Sequence, residues 1–170
     1  MLLDFNFIVK KYDIKSKGVI HIGAHYGHEL YRYLNNGIKN ILMFEPQRKV
    51  FDHLKFNVSQ ITPDEEVNIK LRNIALGNFC GEAEMFTEKE NKGMSSSLLE
   101  PSLHTKQYPH INFNDKEKVE VTTLDEDLKN STLDYDFINI DVQGYELNVF
   151  QGAIKTLPQI NYIISEVNRD

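Results

Sequence analysis

Five short apolar runs each end on residues that bear chemistry or admit a ligand. The run 19–22 passes into Gly23, Ala24, His25 and Gly27. The run 41–44 ends on Glu45 and Pro46, and the run 67–71 is followed by Asn73 and Ala75. The run 137–140 ends on Asp141, and the run 162–165 on Glu166. Each such residue, taken alone, is more often structural than functional. Five successive exits carrying Gly, Glu, Asn, Asp and Glu are harder to attribute to packing.

Glycine at a strand-to-helix turn lets backbone pass close to a ligand. In the dinucleotide fingerprint G-x-G-x-x-G the second glycine admits a pyrophosphate. The corresponding position here is His25, which speaks against NAD or FAD. A nucleoside ligand without pyrophosphate, such as S-adenosylmethionine, tolerates it. Glu45 lies about twenty residues past the turn, where a carboxylate accepts hydrogen bonds from a ribose cis-diol. Standing alone it would read better as a surface glutamate before the turn residue Pro46. Asn73 suits an adenine edge or a local backbone bond, and Ala75 with Leu76 suits a purine face or a plain apolar strand exit. Asp141 faces the central crevice if the strand order is that of a wound sheet, and Glu146 fits either the site or the positive end of a helix.

The elements that must position these residues follow from periodicity. The five runs read as strands buried on both faces of a parallel sheet. Segments 29–36, 48–58 and 146–157 read as helices, with Val50, Phe51, Leu54 and Val58 on one packed face. Residues 1–12 read as a further docked helix. Strand and helix in alternation predict an α/β, doubly wound, mostly parallel sheet with helices on both faces. Ligands in such sheets sit at the carboxyl ends of the strands. Residues 77–123 break the rhythm, with strands expected at 84–87 and 119–122 around a polar loop. That loop carries Ser96, Ser97 and His104. It reads as an insertion on the acceptor side, the alternative being a solvated edge hairpin.

Composition bounds the rest. The chain has 170 residues, 41% hydrophobic and 26% charged, as expected of one globular domain spanning 1–170. No apolar run approaches the roughly 18 residues of a membrane span. The N-terminal residues lack a cleavage-site pattern and read as a cytoplasmic start. The net charge of −6 argues against nucleic acid as the main partner. One cysteine, Cys80, makes no internal disulfide and no thiolate metal cluster. His21 and His25 make a poor chelate and no metal signature is present, although a divalent cation on Asp141 and Glu166 stays open. Oligomeric state is not readable.

In the order and spacing of its blocks the sequence resembles the FkbM-type S-adenosylmethionine-dependent methyltransferases. The blocks are IHIGAHYG, FEPQRKVFDHLKFN, NIALGNFCGEAEMF, SSSL, VTTLDEDL and INIDVQGYELNVFQGA, from about Gly18 to Val167. The resemblance implies a Rossmann-like class I methyltransferase fold and O-methylation of a hydroxyl, often on a sugar or related small molecule. It implies that Gly23, Ala24 and Gly27 hold the methionine part of the cofactor and Glu45 the ribose hydroxyls. Asn73 and Ala75 then sit near the adenine, Asp141 and Glu146 belong to the D-x-E-G-x-E block, and Ser96 and Ser97 border the acceptor. Three positions depart from the family pattern: His21 for an acid, His25 for an asparagine and Gln143 for the middle acid. These bear on the charge around the cofactor amine and leave the loop intact. Methyltransferases of this fold usually continue into a final strand pair beyond the position of Asp170.

A sugar hydroxyl is a poor nucleophile, so a general base is expected, with Asp141 favoured over Glu166 and His104. Two other readings compete: an inactive methyltransferase-like binding module, motivated by His21 and Gln143, and a nicotinamide-dependent oxidoreductase, disfavoured by His25.

Overall fold

The computed structural model describes residues 5–62, 65–87, 96–99 and 115–165. Helix α1 (Phe5–Lys11) precedes strand β1 (Gly18–Ile22), helix α2 (Leu30–Asn35), strand β2 (Asn40–Phe44) and helix α3 (Arg48–Ser59). Strands β3 (Asn68–Arg72), β4 (Ala75–Leu76), β5 (Gly81–Thr87) and β6 (Asp115–Thr122) follow. Helix α4 (Leu124–Leu128), strand β7 (Phe137–Ile140), helix α5 (Glu146–Gln151), a 3-10 turn (Leu157–Gln159) and strand β8 (Tyr162–Ser165) complete the described chain.

Five strands form one sheet in the order β3-β2-β1-β7-β8, and every pairing in it is parallel. The order reverses beside β1, which makes the crevice above β1 and β7 the switch point of a Rossmann-like sheet. Alternate residues of the central strands feed two cores. Ile20, Ile22, Leu42, Phe44, Ile138 and Ile140 pack with Leu124 of α4 and Val149 of α5. Val19, Ile41, Met43 and Phe137 pack with Phe5, Leu30, Tyr33 and Leu54 of the other three helices. Helices therefore cover both faces, which is why these strands read as unbroken apolar runs.

The edge strand β3 departs from that expectation. Its burial alternates, because one neighbour and one face are missing, and the sequence NIKLR alternates accordingly. The docked N-terminal helix is present: Phe5 is buried and meets the rings of Tyr33 and Phe137 at 5.0 and 5.5 Å.

A second sheet, β4-β6-β5, stands apart from the first. β5 and β6 form the expected antiparallel hairpin, longer than the sequence indicated. The run NIAL is not a simple exit of β3: the chain leaves the first sheet at Arg72 and pairs again at Ala75–Leu76 with β6. Helix α4 has no counterpart among the expected elements. Its start is a Thr-x-x-Glu pattern, with Thr123 Oγ1 accepting from Glu126 N at 3.1 Å. The helix expected over 146–157 stops at Gln151. Gly152 there lies against the Gly77 carbonyl so closely that a Cβ would stand 1.9 Å from its oxygen. The chain turns, and Pro158 lies in the first turn of the short 3-10 segment.

Candidate active site

At the carboxyl ends of β1, β2 and β7 lies a cleft with about 700 Å³ of empty space, part of it continuous with open solvent. Its floor is apolar: Ile22, Phe44, Ile74, Ala75, Leu76 and Met85. Gly23, His25, Glu45, Pro46, Gln47, Asp141, Gln143 and Tyr145 rise around it, with Ser96, Ser97 and Leu98 on the hairpin side.

The turn after β1 is built by close approach. Gly23 has φ +80°, and a Cβ on it would stand 2.0 Å from the Asp141 carbonyl oxygen. Only glycine lets the exits of β1 and β7 meet this closely. Asp141 N donates to Ile22 O at 3.0 Å, and the amides of Gly23 and Ala24 donate to Phe44 O. All three strand exits are thus locked together by backbone bonds.

Glu45 is buried, with 3% of its surface exposed. Its Oε2 accepts from His25 N at 3.0 Å and its Oε1 from Gln47 N at 2.9 Å. Burial pushes its carboxyl up to about 7, against the pull of those two amides and with a further push from the Glu117 carboxylate. The carboxyl therefore exchanges its proton near neutral pH.

Asp141 Oδ1 accepts from Gln143 Nε2 at 2.6 Å. Gln143 O accepts from Ser97 Oγ at 3.0 Å, and Ser96 Oγ donates to Gln47 Oε1 at 3.2 Å. The two serines bridge the cleft from the β7 exit to the β2 exit. They are anchored to the hairpin through paired backbone bonds between Ser97 and Phe86 at 2.9 and 3.0 Å. His25 and Gln143 carry positive φ, +48° and +54°, and both face the cleft. Such conformations cost a non-glycine residue on the order of 1 kcal/mol and mark sites where surrounding contacts over-determine the backbone.

A comparison with known families identifies the fold's lineage: the methyltransferase FkbM domain matches residues 21–170. The chain belongs to the FkbM methyltransferase family. A relative of this FkbM chain is the 2-O-methyltransferase NoeI of Sinorhizobium fredii (strain NBRC 101917 / NGR234). It is 24% identical over 155 residues, which are 87% of this chain and 62% of the relative. The chain thus spans under two thirds of that protein's length. Family membership sets aside the oxidoreductase reading.

The FkbM chain brings Gly23, His25, Glu45, Pro46, Ala75, Ser96, Ser97 and Asp141 into one cleft. Four other residues chosen from the sequence do not line it. Asn73 stands behind the β2 exit, where its Nδ2 donates to Glu45 O and Pro46 O, both at 2.9 Å, so it braces the loop that presents Glu45. Ala24 is buried in the core under α2 and α3. Gly27 packs against Leu54, where a Cβ would stand 2.5 Å from Cδ1. Glu146 Oε1 accepts from Val142 N and Gly144 N at 3.2 Å and holds the turn that carries Gln143. His104 and Glu166 lie outside the described residues.

His21 is also accounted for in the FkbM fold. It is buried, and its Nδ1 shares a 3.1 Å hydrogen bond with the Tyr33 hydroxyl, which accepts from Asn139 Nδ2 at 2.7 Å. Burial pushes its imidazole down to about 4, against the pull of Glu29, so it is neutral at pH 7. It serves the core and not the cleft. Sequence reasoning passed over Gln47 and Tyr145 as lining residues. Tyr145 sits inside the DVQGYE block beside Gly144, and Gln47 directly follows Glu45-Pro46, so each was adjacent to a motif already singled out. Among the described residues no group of three or more His, Cys, Asp or Glu is arranged to hold a metal ion. No described helix is long and apolar enough to cross a membrane.

Proposed function

We propose that this chain is an S-adenosylmethionine-dependent O-methyltransferase acting on a hydroxyl of a sugar, glycan or related small molecule. The observation that carries the reading is the buried carboxylate of Glu45 and the carboxylate of Asp141 facing one apolar cleft at the switch point.

The residues present fit the donor. Glu45 takes backbone N–H donors from His25 and Gln47 and a further bond from the Gln47 side chain, and a carboxylate offers about four acceptor positions. A ribose hydroxyl supplies a further donor to it. The apolar floor of Phe44, Ile74, Ala75 and Leu76 suits a purine face. Gly23 leaves room for the methionine part, and His25, which lines the cleft, occupies the position of the second glycine of the dinucleotide fingerprint, which speaks against a pyrophosphate. When bound, S-adenosylmethionine supplies an electrophilic methyl group on a sulfonium.

Asp141 would accept the proton that the acceptor hydroxyl loses on methylation, and the donor would leave as the neutral thioether S-adenosylhomocysteine. A positioned base is worth about 10²–10⁴-fold. Ser96, Ser97 and the hairpin wall orient the acceptor, so that a bimolecular encounter becomes an alignment within the cleft. Oxygen as the accepting atom is supported by the relative named a 2-O-methyltransferase.

The test has two arms. Calorimetric titration of the purified chain with S-adenosylhomocysteine and with NAD is expected to show binding of the first alone. Methyl-labelled donor incubated with a panel of glycosides is expected to label at least one of them. Asp141→Asn is expected to lower turnover about 100-fold or more with donor affinity kept. Binding of NAD in preference to S-adenosylhomocysteine overturns the donor assignment. Donor binding without transfer to any member of the panel favours the inactive module.

A further inference from the structure

Asp141 alone does not explain the strained turn that follows it. Gln143, two residues on, is held in a left-handed backbone conformation that regular structure does not need. Two contacts fix it there. Ser97 Oγ donates to its carbonyl at 3.0 Å, and Glu146 gathers the amides of Val142 and Gly144 on either side of it. The arrangement sets up a short bond, the 2.6 Å contact from Gln143 Nε2 to Asp141 Oδ1.

We propose that Gln143 is a positioning residue that fixes the rotation of the Asp141 carboxylate toward the acceptor, and that Ser97 on the hairpin side holds Gln143 in place. The proposal rests on the reading of Asp141 as the proton acceptor. An amide donates at every pH, and a donor to the ionised carboxylate favours that form. A carboxyl at position 143 would donate only when protonated and would repel Asp141 otherwise. The identity of residue 143 thus sets the pH range over which Asp141 is held in line. Among the described residues, His25 from the β1–α2 loop, Glu45 from the β2 exit and Tyr145 ahead of α5 face the same cleft, and Glu146 of α5 lies behind the turn. Glu45 titrates near neutrality, so each variant is compared with the unaltered protein over one pH series.

Three variants and two readouts test the proposal. Gln143→Met keeps the side-chain length and removes the donor. Gln143→Glu replaces it by a titrating group, and Ser97→Ala removes the hold on residue 143. Carbon-detected magnetic resonance of carboxyl-labelled protein, assigned by Asp141→Asn, follows Asp141 directly and needs no acceptor. In Gln143→Met the Asp141 titration is expected to move up by roughly one unit, and in Gln143→Glu it is expected to split into two coupled steps. With labelled S-adenosylmethionine and the acceptor from the glycoside panel, Gln143→Met lowers kcat about tenfold at unchanged KM for the donor. Gln143→Glu adds a descending alkaline limb to kcat that the unaltered protein lacks, and Ser97→Ala reproduces the Gln143→Met effect in weaker form. An Asp141 titration identical in Gln143→Met and the unaltered protein overturns the proposal. Loss of turnover in Asp141→Asn with full turnover in Gln143→Met overturns it too and leaves the base assignment standing. A shifted titration in Gln143→Met with normal turnover in Asp141→Asn sinks the base assignment and keeps the positioning contact.

Discussion

Replacing Glu45 with Gln isolates what it costs to ionise a carboxyl inside this cleft. In the unfolded chain the group titrates near 4.5, and burial in the folded chain moves it to about 7. Between those values the folded protein holds a proton that the unfolded chain releases. Stability contributed by protonated Glu45 is therefore full below about 4.5, falls as pH rises and is gone above about 7. At about 1.4 kcal/mol per unit, the shift corresponds to about 3 kcal/mol. The amide side chain of Glu45→Gln cannot titrate. It loses one of the two backbone donors, His25 N or Gln47 N, a penalty of about 1–3 kcal/mol at every pH. That offset is constant, so the informative quantity is the difference in unfolding free energy between variant and unaltered protein as a function of pH. His21 affects both proteins equally and cancels. Urea unfolding from about pH 4.5 to pH 8 is expected to show the difference shifting by about 3 kcal/mol in favour of Glu45→Gln. Affinity for S-adenosylhomocysteine is expected to strengthen with pH up to about 7 in the unaltered protein and to stay flat in the variant. A pH-independent stability difference would refute the assignment of the shift to burial.

Gly23→Ala is expected to cost about 3 kcal/mol or more, because the new Cβ meets the Asp141 carbonyl at a positive φ; chemical denaturation measures it, and a neutral outcome contradicts the close approach of β1 and β7. In a Glu45→Gln background, acidification should remove about 3 kcal/mol between pH 6.5 and pH 4. The unfolded chain there takes up a proton that buried His21 refuses, so stability is present above 6.5 and lost toward 4. Thr123→Ala removes the cap on α4 and should cost about 1 kcal/mol by thermal unfolding, with affinity for S-adenosylhomocysteine unaffected.

The parallel sheet was legible because β1, β2 and β7 are apolar on both faces, a pattern few other settings produce. β3 was harder to read: its alternation marks an edge, and its neighbourhood was obscured by the apolar NIAL that belongs to another sheet. Helix α4 was missed since five residues give no periodicity, and only the Thr123–Glu126 cap betrays it. Among the site residues, Gly23, Glu45 and Asp141 were visible because each terminates a central strand. Asn73 and Glu146 misled in an instructive way. Their side chains can serve a ligand or a backbone, and sequence does not state which groups lie within reach. Here the backbone carbonyls of Glu45 and Pro46 and the amides of Val142 and Gly144 were nearer than the cleft.

The division of this molecule into two sheets gives the walls of its cleft separate foundations. Gly23 and Glu45 ride on strand exits fixed by the parallel framework, whereas Ala75, Leu76, Met85 and the serine bridge ride on or against the β4-β6-β5 unit. The chain crosses that boundary at Asn73-Ile74, between β3 and β4, and returns after β6 through α4 to β7. On the proposed reading, recasting the β5–β6 side would alter the acceptor wall while Gly23 and Glu45 stay where the central strands hold them, so divergence in acceptor choice is open to this scaffold without rebuilding its parallel sheet.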